Sequence, residues 1–328
     1  MSTARQVIAL LKSHIEGEEQ QFLTVAMQVA AHEARQGHGK VAQEIRGLVD
    51  QAKEQKSPFI NKKGNTVSLI QPKGDLASLL SARYSDMRLA DMVLSDSLCK
   101  RLMRVVTEQA NHLLLEEHNL APRRKLLLVG APGTGKSMTA AAIAGELKLP
   151  LFTVLYEGLF TKFMGETATQ LKLIFDAMSS TRGVYFFDEF DAIGSQRSSV
   201  NDVGEIRRIL NSCLQFLEND DSSSLIIAAT NHPDLLDKAL YRRFDDIIQY
   251  DFPSSELIKK LIRSRLVMFT LDWKVWNNIL NAAEGLSQAE IIRSITEVAK
   301  NAVLESRKVI NEDEMIAVIL ERKSMSLW

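Results

Sequence analysis

The chain has little cysteine. Of its 328 residues only Cys99 and Cys213 carry a thiol, and neither has a partner at disulfide-framework or metal-site spacing. A disulfide-stapled scaffold is therefore excluded, and a reducing compartment fits best. Long apolar runs are missing too: Leu126 to Val129 and Leu225 to Thr230 are typical, far short of the ~20 residues of a membrane helix. The opening MSTARQVIALLKSH is interrupted at Lys12 and is too polar for a secretory signal, so the expected location is the cytoplasm, with no membrane contact. Neither sign of charge dominates, because 40 Lys+Arg stand against 41 Asp+Glu for a net -1. That removes any global attraction to nucleic acid or anionic lipid. Two protease signatures are absent as well. His32-Glu33 opens like the zinc-binding HExxH, but position 36 is Gln, and no serine-nucleophile elbow occurs. If the chain serves proteolysis, the peptidase is another chain.

What is present is an ordinary globular composition, 45% hydrophobic and 25% charged, long enough for about two domains. In residues 1–56 the apolar positions Val7, Leu10, Leu11 and Ile15, then Phe22, Val25, Ala26 and Val29, recur at helical spacing, which predicts an N-terminal helical bundle. Residues 57–85 (SPFINKKGNTVSLIQPKGD and the positions after it) read as a linker, with Thr66 to Ile70 a short strand inside it. Over 86–253 the pattern changes to short runs apolar on both faces, alternating with helical stretches: Leu126 to Val129, Phe152 to Leu155, Val184 to Phe187, Leu225 to Ala229 and Ile247 to Tyr250. This predicts an α/β domain, a parallel sheet flanked by helices. Residues 254–328 return to helical periodicity and predict a four-helix lid.

The strongest chemical signal is Gly130-Ala131-Pro132-Gly133-Thr134-Gly135-Lys136-Ser137, a complete GxxxxGKS run between the strand LLLV and a helix starting near Met138. The glycines let backbone N–H groups wrap phosphates, Lys136 reaches the β and γ phosphates, and Ser137 can ligate Mg²⁺. ATP with Mg²⁺ is the expected ligand. The strand Val184-Tyr185-Phe186-Phe187 then ends in Asp188-Glu189. Asp188 can hold the metal, and Glu189, pointing to the other side, can deprotonate an attacking water. A further strand ends in Thr230-Asn231, which places Asn231 at the γ-phosphate or the lytic water, while a turn-forming Asn before His232-Pro233 is the plainer reading. Arg242 and Arg243 precede the last strand, either as surface ion pairs or as cations for a neighbouring subunit's phosphate.

Taken in order, FFDEFDAIGSQR, AATNHPDLLD and ALYRRFD after a P-loop resemble the AAA clade of the AAA+ ATPases, specifically its single-ring protein remodellers, over about Arg88 to Leu304. The resemblance implies an Mg-dependent ATPase in which Arg242 and Arg243 are trans-acting arginine fingers and Asn231 is the first sensor. Ala90 to Val93, with Asp91 and Met92, then lie beside the adenine, and the lid's Ala289 approaches the nucleotide. Gln288 stands where the family usually has glycine, and Arg293 is either a lid cation or, the plainer reading, solvated helix surface. Phe163-Met164-Gly165 is similar to the family's central-pore loop. A hexameric ring threading polypeptide through its pore, with a separate protease as a possible partner, is the function so implied. The alternatives are an ATP-gated assembly switch that threads nothing and, less favoured given the neutral charge, a nucleic-acid remodeller.

Overall fold

The computed structural model describes residues 71–159, 166–193, 203–236 and 238–325, together with residues 29, 30, 41 and 43. The chain divides into two compact units, Met1–Ser68 and Leu69–Trp328. In the first, Val29, Ala30, Val41 and Gln43 are helical; the rest of the predicted bundle, the strand expected at Thr66 to Ile70 and the segment Phe163, Met164 and Gly165 lie outside the described residues. The second unit holds a large mixed sheet, the helices packed on it, and the lid.

The sheet has the strand order β1-β3-β4-β5-β2-β6. The strands are β1 (Leu80–Arg83), β2 (Lys125–Gly130), β3 (Leu151–Val154), β4 (Val184–Phe187), β5 (Leu225–Thr230) and β6 (Asp246–Tyr250). β2 to β6 run parallel, and β1 pairs antiparallel with β3. The sheet thus begins inside the stretch read as a linker: LSAR is too short and too polar to announce a strand, and it is added at the edge by pairing Leu80 with Val154. The helices are α1 (Leu76–Leu79), α2 (Asp96–Ala110), α3 (His112–Glu117), α4 (Lys136–Leu147), α5 (Tyr156–Leu159), α6 (Glu166–Ser180), α7 (Val203–Asn219) and α8 (Lys238–Tyr241).

Alternation along each strand explains why its runs are apolar throughout. Leu127, Tyr185, Phe187, Ile226 and Ala228 face one core with Leu171, Ile174 and Phe175 of α6 and Cys213 and Leu217 of α7. Their neighbours Leu126, Leu128, Val184, Phe186, Leu225 and Ile227 face a second core with Leu102 and Val105 of α2 and the alanines of α4. Each buried large side chain contributes about 1.5–3 kcal/mol, so both faces hold the helices in place. β6 departs from this pattern. Its residues alternate between buried and exposed, because an edge strand covered on one face needs only every second residue to be apolar.

Residues 254 onward form the lid: α9 (Ser255–Arg265), α10 (Asn277–Ala283), α11 (Gln288–Leu304) and α12 (Glu312–Met325), with a two-stranded pair, β7 (Thr270–Leu271) and β8 (Val309–Ile310). Ile258, Leu261, Ile279, Ile291, Ile295 and Met315 fill its own core. Ser254 and Ser287 cap α9 and α11, each accepting a backbone N–H three residues on. No helix among the described residues is long and apolar enough to cross a membrane.

Candidate functional site

The strand order reverses around β2, and side chains at the C-terminal ends of β2, β4 and β5 converge there, where open α/β sheets bind ligands. β2 runs into Gly130, where a Cβ would lie 2.3 Å from the Tyr250 carbonyl oxygen of the adjacent strand, so only glycine fits. The loop then turns through Gly133 at φ +75, where a Cβ would meet Ser287 Oγ at 2.6 Å and Ala289 Cβ at 2.9 Å. The start of α11 rests on this loop, and the Ala289 backbone N–H donates to the Gly133 carbonyl at 3.0 Å.

α4 opens with Lys136, whose buried ammonium donates to Gly130 O at 2.6 Å, Ala131 O at 2.9 Å and Asn231 Oδ1 at 2.7 Å. Burial lowers its pKa from the usual lysine value, while the charges of Asp188 and Asp191 oppose that shift. Ser137 Oγ donates to Asp188 Oδ2 at 2.8 Å. Glu189 follows with φ 50, a left-handed backbone in a residue other than glycine, while Asp188 Oδ1 accepts its N–H at 3.1 Å. Both residues line the same cleft, and the Glu189 side chain makes no hydrogen bond or ion pair among the described residues.

A cleft of about 790 Å³, within the range of small-molecule sites, gathers Asp91, Met92, Pro132, Gly133, Gly135, Lys136, Ser137, Met138, Asp188, Glu189, Asn231 and Ala289. Asp91 sits on a tight turn, its carboxylate accepting the Arg88 N–H at 2.8 Å. The cleft fits a nucleotide with its metal. The loop offers a cradle that side chains would fill, Lys136 supplies a desolvated cation, and Ser137 with Asp188 forms a pair of hard oxygen donors of the kind that suits Mg²⁺.

Not every predicted residue faces the cleft. Gly130 and Thr134 do not line it: the Gly130 carbonyl receives Lys136, and the buried Thr134 hydroxyl donates to Ala131 O at 2.8 Å, so both shape the loop from behind. Arg242 is exposed and Arg243 pairs with Glu218 at 2.9 Å, both outside this chain's own cleft. Arg293 pairs with Glu290 at 2.7 Å on the exposed surface of α11 and does not line the cleft, in line with its reading as solvated helix surface. The lid's cations at the cleft are instead Lys260 and Arg265, with Ser264 between them on α9. Their positions on one helix were visible in the sequence, but not the fact that this face of α9 crosses the site. Asp191 was also missed; it accepts a hydrogen bond from Thr230.

Residues 126–252 match the ATPase family associated with various cellular activities (AAA). The chain is 30% identical over 296 residues to the uncharacterised AAA family ATPase y4kL of Sinorhizobium fredii, covering 90% of this chain and 88% of that one. It is 35% identical over 223 residues to the proteasome-activating nucleotidase of Sulfurisphaera tokodaii, covering 65% of this chain and 57% of the relative. The crystal structure of the FIGL-1 AAA domain superposes with a TM-score of 0.58 at 23% identity, covering 74% of this chain and 86% of that one, and so shares the fold. A P-loop cleft built at the ends of β2, β4 and β5, under a helical lid, and an end-to-end relative agree: the chain belongs to the AAA family of ATPases.

Proposed function

We propose that this ATPase works as a hexameric ring in the cytoplasm, hydrolysing ATP at subunit boundaries to draw polypeptide through a central pore, with residues 1–56 choosing the substrate or partner. The observation that carries the reading is a division of labour. One chain's cleft gathers Lys136, Ser137, Asp188, Glu189 and Asn231, yet leaves Arg242 and Arg243 outside it, on a surface that can serve a neighbour. In this reading Lys136 and the loop N–H groups bind the phosphates, and Ser137 and Asp188 hold Mg²⁺, which offsets phosphate charge when bound. Glu189 takes a proton from water as the water oxygen attacks the γ-phosphorus in line and the bond to the ADP oxygen breaks. Asn231 orients the phosphate or that water. A relative named for activating a proteasome supports a separate protease as the downstream partner.

Phe163, Met164 and Gly165 precede α6 in the sequence and are assigned the grip on substrate, because an aromatic face offers large contact area without demanding a particular sequence. Phe163→Ala tests this. ATP turnover should stay within a few-fold of wild type, while unfolding of a tagged reporter and its stimulation of ATPase are lost. Retained unfolding would remove Phe163 from the grip and sink threading through this segment, whereas a wild-type chain that unfolds no reporter would leave the assembly switch as the better account.

A further inference from the structure

Thr230 closes β5 and is fully buried. Its hydroxyl proton goes to Asp191 Oδ1 at 2.7 Å, and its oxygen accepts the His232 backbone N–H at 3.0 Å. These two bonds bracket Asn231. An ammonium can only donate, so the 2.7 Å bond from Lys136 fixes which end of the Asn231 amide faces it: Oδ1 takes the lysine, and the Nδ2 protons remain as donors at the cleft.

Asp191 is equally fixed. It lies on the turn Phe190–Ile193, two residues beyond Glu189, where the Ala192 N–H returns to the Glu189 carbonyl at 2.8 Å. Phe190 anchors that turn, lying edge-on to Phe187 and to Phe244 with ring centroids 5.9 Å away in each case. The bond between Thr230 and Asp191 therefore joins two short segments, one carrying Asp188 and Glu189 and the other carrying Asn231. A hydroxyl bound to a carboxylate is stronger and more directional than one bound to a neutral acceptor.

We propose that Asp191 and Thr230 are positioning residues for ATP hydrolysis, a half-buried tie that holds the Asn231 turn in register with Glu189 and Lys136. The proposal rests on reading Glu189 and Asn231 as the hydrolytic pair. Neither tie residue needs to touch nucleotide.

The test uses the full chain and reads kcat, KM for ATP, affinity for a non-hydrolysable ATP analogue, and the melting midpoint. Thr230→Val keeps the shape and removes the hydroxyl. It should lower kcat about tenfold or more while KM and analogue affinity stay within about twofold, since a positioning defect acts on the transition state and not on ground-state binding. Thr230→Ser should restore most of kcat. Asp191→Ala should match Thr230→Val, Asp191→Asn should retain more because it keeps an acceptor oxygen, and Thr230→Val with Asp191→Ala should be no worse than either alone. The tie is overturned if Thr230→Val turns over normally, if Thr230→Ser fails to rescue, or if kcat falls only in proportion to lost folded protein. If Thr230→Val does not fold, Asp191→Ala and Asp191→Asn decide the same question, and normal turnover in Asp191→Ala overturns the tie. Glu189→Gln run alongside separates the two levels. Normal turnover in Glu189→Gln removes the hydrolytic reading itself, whereas an inactive Glu189→Gln beside a normal Thr230→Val removes only the tie.

Discussion

Glu189 carries two properties that conflict in an ordinary residue. Its side chain is the candidate base, and its backbone sits at φ 50, a region that costs an L-residue about 1–2 kcal/mol. Its neighbour Asp188 is tied to Ser137, so in the proposed reading one dipeptide serves both metal and water. Three substitutions separate these roles. Glu189→Gln should bind ATP and lose turnover by on the order of 10² to 10⁴, the usual scale for a general base, whereas Lys136→Ala should weaken binding itself. Glu189→Gly and Glu189→Ala both remove the carboxylate, but only glycine relieves the turn. Glu189→Gly should therefore unfold at higher denaturant than Glu189→Ala, by about 1 kcal/mol. Equal stabilities would mean that the turn stores no strain.

At the scale of elements, one carboxylate fastens the far edge of the sheet. Asp246, at the start of β6, accepts from Arg101 of α2 and, at 3.2 Å, from Arg123 in the approach to β2. Burial works to raise its pKa, but the two guanidiniums together outweigh it and hold the carboxyl below its ordinary value. A depressed folded pKa means stability that is present above the unfolded value of about 3.9 and lost as pH falls through the folded one. Asp246→Asn should cost about 1–2 kcal/mol in urea unfolding at pH 7, kept small because Arg101 is itself 45% exposed and water takes up much of its charge. The gap to wild type should close as pH drops below about 4. A gap unchanged with pH would assign the loss to packing. Elements of this kind also mark what the sequence made legible. Buried runs such as Leu126 to Val129 announce their strands, and GxxxxGKS between strand and helix announces the loop, because local pattern alone dictates both. LSAR at the sheet edge, the crossing of the cleft by Lys260 and Arg265, and the bond between Thr230 and Asp191 all depend on how the fold arranges side chains in space. No local period encodes them.

For the whole molecule the question is whether one chain is a complete enzyme. Arg243 donates to Glu218 at 2.9 Å and stands outside its own cleft, while the cations that do line that cleft are Lys136, Lys260 and Arg265. A γ-phosphate held at Lys136 still calls for a cation placed against the charge that develops on transfer, an effect worth about 10³ to 10⁵ where an arginine finger supplies it. If a neighbour supplies it, Arg243→Ala and Lys136→Ala damage opposite halves of a shared site. Each variant alone should then form rings with little turnover: the first binds ATP normally and hydrolyses it slowly, and the second fails to bind. Mixed rings should regain part of the activity, because some boundaries pair the intact Lys136 of one subunit with the intact Arg243 of the next. The measurement is steady-state ATPase across mixing ratios, with co-purification of differently tagged variants to establish that mixed rings form. Activity should peak at intermediate ratios. Mixed rings that stay as inactive as the separate variants at every ratio would place the function of Arg243 within its own chain, and the pairing with Glu218 would then be a structural bond.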